Sequence, residues 1–284
     1  MPDVNKHILT LSVIIGEGCN NDCKFCISKL TFKAEPKCRF WREKLHKACE
    51  VAKRGNSDTV IITSKGEPTL SPDLLYTIET CAKYFPIVEL QTNGIVIDHT
   101  LADNMARKGL TTVAISCVSY RHEDNKEMLG KNSPELEKVV SVCKEWGLLT
   151  RACIIMTNRI CGTMDLLLDQ ITGLKRIGFD QVTLRIMGTP DLSLVQTTPK
   201  AKKVIDWIAE NSIPKDSISI KNWVENYPLI RKFPWGSEIR LIEGIPVCLT
   251  DCLSEEQGND LRYVIYFPDG HLRTRWDVAG TMLF

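Results

Sequence analysis

Three thiols lie within eight residues of one another in the run Gly18-Cys19-Asn20-Asn21-Asp22-Cys23-Lys24-Phe25-Cys26. Thiolates this close in sequence are soft ligands for a metal centre. A structural zinc site completes its tetrahedron with a fourth protein ligand, for which Cys38 or His46 is the candidate. An iron–sulfur cube held by only three cysteines instead leaves one iron open to a small molecule. The first arrangement would make the loop scaffolding; the second would make it a reaction centre.

The segment before the loop must hold it in place. Ile8 to Ile15 is a β-branched run without helical period, closed by Gly16 and Gly18, and it reads as a buried strand. A helical pattern follows over Phe40 to Arg54, then a strand over Thr59 to Thr63. The alternation continues with helix Ser71 to Tyr84 and strand Ile87 to Gln91, then helix His99 to Lys108 and strand Thr112 to Ser116. Helix Pro134 to Trp146 precedes strand Leu149 to Met156, and helix Met164 to Ile177 precedes strand Gln181 to Met187. Strands separated by helices pair in parallel, which leaves a barrel or a doubly wound sheet.

In such folds chemistry gathers where strands end at their carboxyl side. The cysteine loop follows the first strand, Gly66-Glu67-Pro68 the second and Thr92-Asn93-Gly94 the third, while Ser116 ends the fourth. Taken alone, Gly66-Glu67-Pro68 and Asn93-Gly94 are turn signals. Their common placement makes them candidates for one site.

Global composition narrows the partners. The 284-residue chain carries a formal net charge of +1, so nothing overall attracts nucleic acid or an anionic membrane. No apolar run approaches the ~20 residues that span a bilayer, and no signal-peptide pattern opens the chain, so the expected location is cytoplasmic. Twelve cysteines scattered through a chain of this length are no disulfide framework. Cys49, Cys81, Cys117, Cys143 and Cys153 fall in apolar periodic segments and read as reduced core residues.

Beyond Gly188 the rhythm changes. Pro190, Pro199, Pro214, Pro228, Pro234 and Pro246 punctuate the chain, and Pro199 to Asn211 is the one clear helical pattern. Pro268-Asp269-Gly270 marks a hairpin between Arg262 to Phe267 and His271 to Trp276. Residues 1–187 are therefore expected to form the core, and 188–284 an α+β extension that caps it and contributes to the substrate site. Trp223, Tyr227, Phe233, Trp235 and Trp276, with Arg231, Lys232, Arg240, Arg273 and Arg275, either stack and charge-pair with an anionic substrate or pack the extension down.

The Cys-x-x-x-Cys-x-Phe-Cys loop after the first strand resembles the signature of the radical S-adenosylmethionine (radical SAM) superfamily, and the resemblance extends from about Ile8 to Met187. It implies an α/β fold with a partial (β/α)6 TIM-like barrel, and a [4Fe–4S] cluster on Cys19, Cys23 and Cys26 whose open iron chelates S-adenosylmethionine. It further implies reductive cleavage of that cofactor to a 5′-deoxyadenosyl radical, which abstracts hydrogen from a substrate. An oxygen-sensitive cluster and an external electron donor of flavodoxin or ferredoxin type come with it. By the same resemblance, Phe25 lies beside cluster and adenine, and Gly66, Glu67 and Pro68 match a Gly-Gly-Glu-Pro segment that receives the methionyl amine, with Lys65 in place of its first glycine. Ser116 matches a serine for the methionyl carboxylate, Lys131 and Arg151 are candidate cations for it, and Asn93 is a further cofactor candidate.

The expected substrate is small or nucleotide-like. A peptide substrate or a glycyl-radical enzyme partner is the alternative within the superfamily, and a non-catalytic metal-binding scaffold is the alternative outside it. Cys248 and Cys252 raise the further option of an auxiliary cluster, for which Cys38 and Cys161 would be the remaining ligands.

Overall fold

Apolar β-branched residues recur at alternate positions of the central segments, which is the pattern of strands covered on one face by helices. The computed structural model describes residues 7–30, 36–187, 198–213, 218–233, 237–251, 261–276 and 282–283. Strands β1 (Thr10–Ile14), β2 (Thr59–Thr63), β3 (Ile87–Thr92), β4 (Thr112–Cys117), β5 (Leu149–Met156) and β6 (Gln181–Ile186) pair in parallel, each with the next. Between them run α1 (Trp41–Arg54), α2 (Leu74–Ala82), α3 (His99–Arg107), α4 (His122–Leu129), α5 (Leu136–Glu145), α6 (Asn158–Cys161) and α7 (Met164–Ile177). The C-terminal third contributes α8 (Pro199–Asn211), α9 (Ile218–Glu225), β7 (Leu229–Lys232), β8 (Glu238–Ile242), β9 (Ile245–Asp251), β10 (Val264–Tyr266) and β11 (Leu272–Arg273).

The sheet order is β11-β10-β1-β2-β3-β4-β5-β6-β9-β8-β7. Strand β9 extends the parallel row beyond β6, and β10 extends it beyond β1. The barrel is thus partial, its sheet open between β7 and β11 among the described residues, and the C-terminal third lengthens both of its edges. Arg262, just ahead of β10, donates to the Thr250 hydroxyl on β9 at 3.4 Å, a side-chain contact across the open seam.

Several elements depart from the sequence pattern for physical reasons. Helix α4, His-Glu-Asp-Asn-Lys-Glu-Met-Leu, is too polar to show an apolar stripe; only Asn125, Met128 and Leu129 are buried. Asn125 holds the turn ahead of it, its Oδ1 accepting the Val118 N–H at 2.9 Å while its amide donates to the Ser119 carbonyl at 2.7 Å. Strand β9 contains Pro246, which broke the apparent run, but its pairing with β6 begins only at Val247. The expected hairpin is present as β10 and β11, shorter than its flanking sequence.

The two faces of the sheet differ in chemistry. Leu11, Val13, Val60, Ile62, Val88, Leu90, Val113, Ile115 and Ile154 face the helices and form one core with them. The intervening positions line the barrel interior and include Ser12, Glu89, Gln91, Thr112, Ser116, Arg151, Cys153, Thr183 and Arg185. Barrel interiors are ordinarily filled with branched apolar side chains. Here Ile14, Ile265 and Phe267 form a small apolar cluster on the β1–β10 side, and the interior positions of β3 to β6 are mostly polar, with Ala114 and Ile155 among the apolar ones.

Candidate functional site

The cysteine loop leaves β1 and is folded by local bonds. The Cys26 N–H donates to the Cys23 carbonyl at 3.3 Å, and Lys29 donates to the same oxygen at 2.6 Å while pairing with Asp22 at 2.7 Å. Cys19 is exposed, and Cys23 and Cys26 are half-buried. Burial raises the Cys19 thiol, and it pushes Cys23 up to about 12, with Cys26 and Cys19 adding to the shift. Metal binding at such thiols displaces protons.

Gly66 is the point where β2 meets this loop. A Cβ there would lie 2.1 Å from the Gly18 carbonyl oxygen, so no larger residue fits. The following N–H, of Glu67, donates to that carbonyl at 2.7 Å. The Glu67 side chain is 3% exposed and turns away from the loop. Its Oε1 accepts from the Thr69 N–H, the Thr69 hydroxyl and the Thr92 hydroxyl at 3.1, 2.6 and 2.6 Å, and its Oε2 accepts from the Asn93 N–H at 2.8 Å. This carboxylate ties the end of β2 to the end of β3. Pro68 is buried at the start of a short 3-10 turn, Pro68–Leu70.

Asn93 closes the bracket. Its amide donates to the Asn20 side-chain oxygen at 2.8 Å, and its own oxygen accepts the Ile95 N–H at 3.0 Å. Asn20 and Asn21 carried no signal beyond their place between two cysteines, yet both are anchoring points. The Asn132 amide donates to the Asn20 carbonyl at 3.2 Å, and a Cβ at Gly130, where φ is +127°, would lie 2.2 Å from the Asn21 side-chain oxygen. A cavity of about 280 Å³ opens between Cys19–Asp22 and Gly130–Asn132, with Lys131 exposed on its wall.

Ser116 is exposed in a strand whose other residues are all buried, so its hydroxyl meets open space on the interior face. Arg151 lies one interior layer nearer the amino ends of the strands, because Arg151 registers with Ala114 and Cys153 with Ser116. Its guanidinium pairs with the buried Glu89 at 2.5 Å and donates to Gln181 at 3.0 Å.

Phe25 points out of the loop toward α8, and its ring lies 5.4 Å from that of Trp207 at 37°. The basic and aromatic residues of the C-terminal third do not gather as one group. Arg240 binds Glu238 and the Glu225 and Tyr227 carbonyls, Arg273 binds Asp269, and Trp223 packs edge-on against Tyr227. Trp235 and Cys252 lie outside the described residues. Cys161, a possible auxiliary ligand by sequence, is buried in the main core together with Cys49, Cys81, Cys117 and Cys143. Cys248 faces the interior in register with Thr183, and Cys153 is buried on the same face.

The donor set suits a three-cysteine cube. Among the described residues, no three cysteine, histidine, aspartate or glutamate side chains are grouped as ligands of a single ion. A cube makes a different demand, since each thiolate takes its own iron and the thiols need not converge on one point.

Comparison with known proteins identifies the family and the fold. The family model described as Radical SAM superfamily matches residues 13–197, more than half of the chain. A probable GTP 3′,8-cyclase of Thermoplasma volcanium is 26% identical over 145 residues, which are 50% of this chain and 43% of that protein. A second probable GTP 3′,8-cyclase, from Pyrococcus horikoshii, is 28% identical over 49% of this chain and 43% of its own length. The chain thus spans less than half the length of these curated relatives. Among solved structures, SuiB of Streptococcus suis bound to S-adenosylmethionine superposes with a TM-score of 0.59 at 13% identity, over 98% of this chain and 61% of SuiB, and so shares the fold. No helix among the described residues is long and apolar enough to cross a membrane.

Proposed function

Because the chain belongs to the radical SAM superfamily, an enzyme superfamily whose cofactors are a [4Fe–4S] cluster and S-adenosylmethionine, we propose that it generates a 5′-deoxyadenosyl radical to abstract hydrogen from a small, polar, nucleotide-like substrate. The observation that carries the reading is the seating of Gly66 and Glu67 against the Gly18 carbonyl, which joins the cysteine loop to the neighbouring strand end. The bound cluster would supply the electron that splits the sulfonium C–S bond, releasing methionine and the radical.

Cys19, Cys23 and Cys26 are the proposed ligands, and Phe25 is the ring beside them. The backbone from Gly66 to Pro68 presents the edge for the methionyl amine, while the Glu67 carboxylate, fully engaged with Thr69, Thr92 and Asn93, braces that edge. Asn93 holds the cysteine loop through Asn20. The exposed Ser116 hydroxyl is the proposed donor to the methionyl carboxylate, with Lys131 as the cation near the cavity and Arg151 as a brace through Glu89. Residues from Pro199 onward would complete the substrate site. The electron donor would be a flavodoxin or ferredoxin, and the place of work the cytoplasm.

The polar interior wall, with Gln91, Ser116, Thr183 and Arg185 on the same face of the sheet, suits a hydrogen-bonding small molecule. Reconstituted protein with reductant and S-adenosylmethionine is expected to release 5′-deoxyadenosine faster when a mixture of nucleosides and nucleotides is added. Stimulation confined to peptides, or by none of these, contradicts the substrate reading.

A further inference from the structure

Helix α8 follows the span matched by the superfamily model, which ends at residue 197. It nevertheless packs on the most characteristic part of that span. Ala201, Val204 and Ile208 form a separate small core with Leu30 and Met187, and Phe25, Ile155 and Trp207 close around it. The helix therefore connects the cysteine loop with the carboxyl ends of β5 and β6.

One end of it is also held away from the loop. The Thr198 hydroxyl accepts the Ala201 N–H at 3.1 Å and starts the helix, with Pro199 in the first turn. At the other end, Asn158 donates to the Glu210 carbonyl at 3.0 Å, and Ser212 bridges to Thr157. Trp207 thus projects from an anchored element onto Phe25, the residue immediately before Cys26 and two after Cys23. Phe25 sits on the short backbone stretch that joins both thiols.

We infer that Trp207 is a positioning residue of the cluster: it fixes Phe25, and with it the Cys23–Cys26 segment, and walls that side of the cluster from water. The inference rests on the cluster occupying Cys19, Cys23 and Cys26. Partners behind metal ligands set their orientation, and the apolar shell around a cluster sets its exposure. The substrate-side helix is then a structural part of the electron-transfer centre, so a displaced α8 leaves the cluster open to attack.

The test uses the full chain reconstituted anaerobically, challenged with a ferrous-iron chelator while cluster absorbance is followed, with the electron paramagnetic resonance of the reduced cluster as a second readout. Trp207→Leu keeps an apolar side chain but removes the ring, and is expected to lose iron about tenfold faster than wild type and to alter the resonance. Trp207→Phe should stay close to wild type, and Trp207→Met carries the test if Trp207→Leu does not fold. Leu174→Ala, in the core between α7 and the sheet, controls for general destabilisation. Equal release from wild type and Trp207→Leu, or equal acceleration by Leu174→Ala, overturns the inference while leaving the proposed chemistry intact. A wild-type protein that takes up no iron–sulfur cluster overturns both.

Discussion

The Glu67 carboxylate accepts the Asn93 backbone N–H at 2.8 Å, and that one bond joins two strand ends that are both candidates for one site. With Thr69 and Thr92 on its other oxygen, Glu67 has every donor it needs inside the protein. Glu67→Gln puts an amide N–H₂ opposite a donor on one side or the other, and should cost about 1–3 kcal/mol of stability. Denaturant unfolding of the variant checks the value, and an unchanged midpoint would show that these bonds add nothing to stability.

Gly66→Ala drives a methyl group into the Gly18 carbonyl. The loop must move, because the obstacle is backbone. The variant is expected to keep its secondary structure by circular dichroism but to retain only a small fraction of the wild-type iron and sulfide after reconstitution.

Ser116 and Arg151 separate binding from bracing. Ser116→Ala removes an exposed hydroxyl, so unfolding should be unchanged while S-adenosylmethionine binds about tenfold more weakly, the scale of one hydrogen bond to a charged group. Arg151→Met strands the buried Glu89 carboxylate and should cost about 3 kcal/mol of stability. Calorimetric titration and unfolding of the two variants would reverse this pattern if Arg151, and not Ser116, held the cofactor carboxylate.

Asp73, at the start of α2, offers a pH test away from the site. Its burial opposes ionisation, but Lys37 and Arg42 outweigh that and hold the carboxyl below its usual range. A lowered folded value stabilises above the unfolded value of about 3.9 and is lost as pH falls through the folded one. Asp73→Asn should therefore be less stable than wild type at neutral pH, with the gap narrowing below about pH 4. A gap that does not depend on pH would assign the loss to packing.

Strands β1 to β6 and most of the helices between them were legible because apolar periodicity reports burial, whereas β7 to β9, interrupted by prolines and charged residues, were not. Helix α4 was not, since Asn125 supports it with side-chain bonds that leave no periodic trace. The cysteine triad, Gly66 and Ser116 stand out by type and strand-end position, and they do lie at the carboxyl ends of β1, β2 and β4. The actual engagements of Glu67 and Arg151 could not be read, because a carboxylate or guanidinium looks the same in sequence whether it meets a ligand or a buried partner. Trp207 was hidden for another reason: its contact with Phe25 spans 182 positions and depends on where α8 is anchored.

The central claim is tested most directly by anaerobic reconstitution of wild type and Cys23→Ala, followed by iron and sulfide analysis and incubation with S-adenosylmethionine and reductant. Wild type is expected to bind about four irons with matching sulfide and to release methionine and 5′-deoxyadenosine, and Cys23→Ala to do neither. Zinc without sulfide in the wild type, or a full cluster that leaves S-adenosylmethionine intact under reduction, would contradict the account.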